Sequence, residues 1–268
     1  MTSFSTILTK LTSLVVFAIA LCSSPQYTYA QSGEALTSQQ IFDEVVNHYD
    51  PDSMWSEFSG KMKMTSLRKG NLTSQIITID NKTGLYTCIR DREDGLYTKG
   101  VEHGEAFFEI DGEKMTIDEV PEKYQKYPYS LSEHYARTYL EHHTFHFSLP
   151  LAFHAAEASP LEGVGEKCVF GKQCLSITFA EYPDCYEKGY YHYAITLYVI
   201  PGEEYRLHAV HIDNGKGAAK EGMLILLDGE IEIAGIKIPA SKITFFDGGD
   251  TFFMTDAFED ISDNEDKK

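Results

Sequence analysis

A mainly β fold is predicted for this chain of 268 residues: a strongly curved antiparallel sheet, an open half-barrel enclosing helical segments. Three observations predict it. Period-two alternation of apolar and polar residues recurs in short runs from Phe58 almost to the C-terminus. Most of these runs follow one another through short turns, which only antiparallel neighbours can do. Roughly a dozen strands cannot stay flat, so the sheet must curl, and its concavity is where helical apolar stripes can be buried.

The elements follow in order. Thr37 and Gln40 have capping-box spacing and open a helix whose stripe is Ile41, Val45 and Tyr49, with Phe42 and Val46 beside it. Asp50-Pro51 ends it, because a residue before proline avoids helical geometry. Strands are expected at 58–67, 72–80, 83–90, 95–103 and 105–110, with Asp111-Gly112 as a hairpin turn. Pro121 and Pro128 frame a tyrosine-rich connector, and Ser130 with Glu133 opens a second helix that runs from about Leu131 toward Ser148 and stops at Leu149-Pro150. Strands resume at 166–170, 173–180, 190–200, 205–213, 222–228, 230–238, 241–247 and 251–255. Their turns include Pro201-Gly202, Asn214-Gly215, Asp228-Gly229 and Asp247-Gly248-Gly249. No repeat or low-complexity linker divides the chain. The organisation read from it is a signal peptide at 1–30, one curved-sheet domain at 31–258 and a flexible acidic tail at 259–268.

Forty-one acidic residues against 23 basic ones give a net charge of −18, which argues against nucleic acid and against docking on anionic lipid by charge. A hydrophobic share of 43% is enough for a large core. The run Leu11–Leu21 follows Lys10 and precedes Thr28-Tyr29-Ala30, the pattern of an export signal cleaved after Ala30. It is too short to span a bilayer, and no later run is long enough. Lipidation at Cys22 ranks lower, because Leu21 stands where a small residue is expected. The expected location is the periplasm or cell envelope, or outside the cell. There Cys88, Cys168, Cys174 and Cys185 could form two disulfides in three connectivities. A three-residue loop centred on Gly171 would set Cys168 opposite Cys174; a two-residue loop at Gly171-Lys172 would put them on opposite faces.

Motifs for nucleophilic, zinc-hydrolase, nucleotide and EF-hand chemistry are absent, and Gly215-Lys216-Gly217 lies between strands, not before a helix. No cofactor is implied. His142 and His146 stand one helical turn apart and are weak metal candidates, with Glu141 or Glu133 as oxygen donors. The alternative is that these rings pack at a helix–sheet contact. Trp55, the only tryptophan, lines a cavity mouth or anchors the junction of first helix and first strand. Asp50 and Asp256 read as capping or solvated acids. The tyrosines and phenylalanines on one side of the strands suit an apolar cavity, since curved sheets commonly host hydrophobic ligands. The candidate ligand-binding residues are Trp55, His142, Phe145, Phe147, Tyr191 and Tyr193.

Four motifs carry a family resemblance. His48-Tyr49-Asp50-Pro51 with Trp55 resembles the His-Asp-Pro…Trp opening of domain-of-unknown-function family 6503, a group of exported bacterial proteins. The run from His142 to Leu151 resembles that family's Tyr-Tyr-Thr-Tyr-Leu-Tyr-Gly-Leu-Pro-Met segment. Leu224 to Pro239 is similar to its late hairpin, and Thr255-Asp256 to its closing Gly-Thr-Asp. The histidines stand where the family has aromatic or aliphatic residues, which favours packing over metal binding. The resemblance implies an envelope protein with the lipoprotein-carrier (LolA/LolB-like) fold. The expected function is therefore non-enzymatic binding of a lipid or other hydrophobic ligand between sheet and helices. The rival is an interaction or sensor module with a filled core and another envelope protein as partner. A metal-dependent enzyme using the histidines at 142 and 146 is third.

Overall fold

Alternation becomes strands almost where it appears in the sequence. The computed structural model describes residues 36–93, 95–115, 140, 143–144, 147–180, 194–202, 204–213 and 222–262. Among them are β1 (Ser59–Arg68), β2 (Asn71–Asp80), β3 (Leu85–Arg92), β4 (Gly95–Glu102), β5 (Glu105–Ile110) and β6 (Glu113–Lys114). The second series is β7 (Gly165–Val169), β8 (Lys172–Phe179), β9 (Ile195–Val199), β10 (Leu207–Ile212), β11 (Met223–Ile233), β12 (Ile236–Phe246) and β13 (Thr251–Asp260). All pair antiparallel in one unclosed 13-stranded sheet, ordered β6-β5-β4-β3-β2-β1-β13-β12-β11-β10-β9-β8-β7.

That order has a simple logic. One meander runs outward from β1 to β6. The other begins at the opposite edge and returns from β7 to β13, where Met64 meets Phe258 and seals the two halves. The chain between β6 and β7 therefore leads from one edge to the other, and the helical residues 140, 143–144 and 147–148 lie on it. It ends in α2 (Pro150–Ala155). The break between these helical residues and α2 falls at Leu149, whose φ of +25° is costly for a branched side chain and which precedes Pro150.

The first helix, α1 (Ser38–Tyr49), has both halves of its capping box: Gln40 N donates to Thr37 Oγ1 at 3.2 Å, and Thr37 N to Gln40 Oε1 at 2.9 Å. It buries Ile41, Phe42, Val45 and Tyr49, and packs on α2, β8 and β12. Phe42 meets the Phe179 ring edge-on at 5.0 Å, and Phe153 of α2 meets the same ring at 4.2 Å. One sheet face, here the inner face, carries the main core: Met62, Ile77, Tyr86, Ile177, Leu197, Ile225 and Phe258 beneath the helices.

Two turns differ from expectation. The chain does not reverse at Asp228-Gly229. β11 continues through Gly229 at φ +62°, and the turn is Ala234-Gly235. The register is unbroken from Asp228 opposite Ser241 to Ile233 opposite Ile236, which brings both isoleucines into the core. The β7–β8 turn is Phe170-Gly171, with Val169 opposite Lys172. Cys168 then pairs with Gln173 and Cys174 with Lys167, so the two thiols point to opposite faces. Cys88, Cys168 and Cys174 are free thiols, so none of the disulfides the four cysteines could form joins these three; Cys185 lies outside the described residues. This β7–β8 hairpin packs on the outer face, where Val169 and Cys174 join Tyr198, Ile200, Ala209 and Leu224 in a second small core. No helix among the described residues is long and apolar enough to cross a membrane.

Candidate functional site

The inner face is apolar except for a polar stripe that crosses six neighbouring strands. Strand parity builds it. Inward positions of β1 are Met62, Met64 and Ser66; the register sets Ser66 beside Asp256 of β13, and Asp256 beside Lys242 of β12. Ser66 donates its hydroxyl proton to Asp256 Oδ1, and Lys242 Nζ lies 3.3 Å from Asp256 Oδ2. Asp256 is fully buried and Lys242 is 2% exposed. Burial pulls the Lys242 amine down, and the Asp256 carboxylate partly opposes that. Asp256 is thus the buried half of an ion pair, not the solvated strand-end acid its position suggests.

On the other side of Met64 the stripe continues through Gln75 of β2, Cys88 and Arg90 of β3, and Lys99 of β4. Arg90 fixes its direction, because a guanidinium can only donate. Arg90 Nε donates to Gln75 Oε1 at 2.6 Å. The Gln75 amide nitrogen therefore faces His143 Nε2, at 3.2 Å, and donates to it. That assigns the proton to His143 Nδ1, which lies 2.5 Å from the Tyr86 hydroxyl. Both ring nitrogens of His143 are engaged by protein groups, and its ring lies 5.7 Å from Phe147. Burial first, then the nearby Arg90 and Arg92 charges, lower the Lys99 amine to about 8; burial raises the Cys88 thiol.

The expected ligand residues separate into two groups. Phe147 is 2% exposed and meets Phe258 edge-on at 4.7 Å, beside the stripe. Trp55 stacks on Phe58 at 5.2 Å at the junction of α1 and β1, away from the stripe. It is held there by Asp50, whose carboxylate accepts from Met54 N at 2.6 Å and Trp55 N at 2.9 Å. The Asp-Pro…Trp motif is thus a brace: Asp50 caps the turn that presents the indole. His142, Phe145, His146, Tyr191 and Tyr193 lie outside the described residues. Among the described residues no group of three histidine, cysteine or acidic side chains could hold a metal.

Sequence reasoning missed Lys242, Gln75 and Lys99 as inward-facing groups. The signal was parity: Lys99 alternates with Tyr97 and Val101, and Lys242 with Ile238 and Thr244. A further polar site lies at the end of α1. There His48 is held between Glu204, 3.2 Å from Nδ1, and Glu230, 2.9 Å from Nε2, at the edge of a cleft of about 320 Å³.

No family model and no curated protein sequence matches the chain. Solved structures align with it. A LolA superfamily protein from Nitrosomonas europaea is 9% identical over 84% of this chain and 93% of that one, with a TM-score of 0.44. A DUF1329 family protein from Desulfovibrio piger is 11% identical over 82% and 90%, with a TM-score of 0.41. The lipoprotein LppX of Mycobacterium tuberculosis is 8% identical over 82% and 93%, with a TM-score of 0.29. The open antiparallel sheet itself rests on the hydrogen-bonded strand order and not on these likenesses.

Proposed function

We propose that the protein is an exported envelope protein that binds a lipid or other hydrophobic ligand between the inner sheet face and its helical cover. One observation carries the reading. Much of the apolar face of an unclosed sheet is covered by helical segments that contribute side-chain packing, whereas the sheet holds itself together by ladder hydrogen bonds. Parting α1 and α2 from the sheet would expose an apolar groove without breaking a single strand pair. Burying ligand hydrocarbon there is worth about 25 cal/mol per Å². The break at Leu149-Pro150 is a natural place for the cover to bend. Export rests on the signal-like segment before Gln31, and membership of family 6503 on the four motifs of the sequence; both are parts of the proposal.

A second reading has its own support. Phe42, Leu151 and Phe153 are no more than 1% exposed, so the described part of the space between helices and sheet is filled by the protein's own side chains. On that reading the core is only a core and an outer surface binds another envelope protein. Native mass spectrometry separates the two. The protein purified from its own envelope is expected to carry a discrete extra mass that extracts into organic solvent as a lipid. A bare polypeptide mass that does not change when lipids are offered would overturn the ligand reading in favour of the filled core.

A further inference from the structure

The outer face of the sheet holds a cleft that the inner-face reading does not use. The β7–β8 hairpin lies over that face, and the ring of its tip residue Phe170 reaches the Phe245 ring of β12 at 5.1 Å. Between this hairpin and the β12–β13 turn is a cleft of about 490 Å³, within the range of small-molecule sites. Its floor is Tyr198, His211 and Leu224, which the register of β9, β10 and β11 sets close together. Tyr198 and Leu224 are buried and belong to the small outer core.

Phe170 suits its place poorly by local rules. Phe170 and Gly171 form a two-residue turn with φ of +45° and +79°, a pattern that favours asparagine or glycine at the first position. A phenylalanine there is strained, and it is 49% exposed, so the position serves neither the turn nor the core well. What it does provide is an open aromatic wall for the cleft. The opposite wall is Gly248-Gly249-Asp250. Gly249 keeps that wall close: its φ is +119°, and a Cβ there would lie 3.2 Å from Leu224 on the floor. The two walls carry opposite charges, Lys167 on the hairpin and Asp250 on the turn, both exposed. Lys167 Nζ lies 3.5 Å from the Tyr198 hydroxyl and 5.5 Å from the centre of its ring. Among the described residues neither Lys167 nor Asp250 is in an ion pair, with each other or with any third group.

We propose that this outer cleft binds a free amino acid with an aromatic side chain. Its carboxylate meets Lys167 and the Tyr198 hydroxyl, its ammonium meets Asp250, and its ring packs on Phe170. The Tyr198 hydroxyl can serve both partners, since it accepts from Lys167 and keeps a proton to donate. A ligand of a single charge leaves one wall without a partner, whereas a zwitterion gives both a charge-assisted contact. A zwitterion also escapes the repulsion that a chain with a net charge of −18 exerts on free anions. The site is separate from the inner face and independent of any hydrophobic ligand there.

The test is isothermal titration calorimetry of the purified protein with L-phenylalanine and three truncated analogues. 3-Phenylpropanoate lacks the ammonium, 2-phenylethylamine lacks the carboxylate and L-alanine lacks the ring. L-Phenylalanine is expected to bind with a Kd below about 1 mM, and each analogue about tenfold more weakly, the loss of one good contact. Lys167→Met should weaken L-phenylalanine about five- to tenfold and leave 2-phenylethylamine within about twofold. Asp250→Asn should do the reverse, weakening L-phenylalanine by the same factor and sparing 3-phenylpropanoate. Both side chains are exposed, so these replacements leave the core intact. Phe170→Asn removes the aromatic wall with a residue that suits the turn, and should weaken all ring-bearing ligands about three- to tenfold while the protein stays folded by circular dichroism. No saturable heat with millimolar L-phenylalanine would overturn the proposal. So would 3-phenylpropanoate or 2-phenylethylamine binding as tightly as L-phenylalanine, or L-phenylalanine binding that none of the three variants changes.

Discussion

Asp256→Ala is expected to lower the stability of the protein by about 3–5 kcal/mol, the range for breaking one side of a buried ion pair. The cost comes from what is left behind. Lys242 is 2% exposed and its amine lies 3.3 Å from the Asp256 carboxylate, so the substitution leaves a cation without its counter-charge. Ser66 loses the oxygen that accepts its hydroxyl proton at the same time. The pair joins β12 to β13, and the serine joins β13 to β1, across the seam that seals the two meanders. Replacing both charges, Lys242→Met with Asp256→Leu, should recover most of the loss, because apolar residues of similar size need no partner. Urea denaturation of the wild type, the single and the double variant measures this. A single variant that costs less than about 1 kcal/mol, or a double variant no better than the single, would mean that the charges are solvated and the seam is held by other contacts.

Phe153→Ala is expected to cost about 3–5 kcal/mol as well, by leaving a cavity the size of a ring in a packed core. Phe153 is fully buried in α2, and its ring lies 4.2 Å from Phe179 of β8. Phe179 also receives Phe42 of α1, so one strand residue ties both helices to the sheet. Phe42→Ala and Phe153→Ala together should therefore cost a different amount from the sum of the two, with a coupling of about 0.5–3 kcal/mol, because they share a neighbour. Additive effects would show that α1 and α2 dock independently.

Much of the fold was written locally. The capping box at Thr37 and Gln40, the stripe on α1, the turn at Asp111-Gly112 and most strand positions follow from spacing within a few residues. Asp228-Gly229 misled for the same local reason. An Asp-Gly pair favours a turn, but here the gain from bringing Ile233 and Ile236 into the core keeps the strand going to Ala234-Gly235. The alternation of Glu230-Ile231-Glu232-Ile233 and Ile236-Lys237-Ile238 about Ala234-Gly235 carried that information. The site was far less legible. Ser66 and Asp256 are 190 positions apart, and only the register of β1 on β13 brings them together. Trp55 was conspicuous by its rarity, yet it braces a junction, while the unremarkable Gln75 is the hub of the inner hydrogen-bond chain. Composition marks unusual residues; the inner face was set by parity and pairing.

A hydrophobic ligand bound on the inner face of the sheet is located by photolabelling the purified protein with a diazirine-bearing fatty acid, followed by peptide mapping of the adducts. The adducts should fall on inward positions of β1 to β5 and β13 and on the helical segment around Phe147, and unlabelled fatty acid should suppress them. Labelling confined to the outer face, around Phe170, Phe245 and Phe252, or labelling that unlabelled fatty acid does not suppress, would contradict the account.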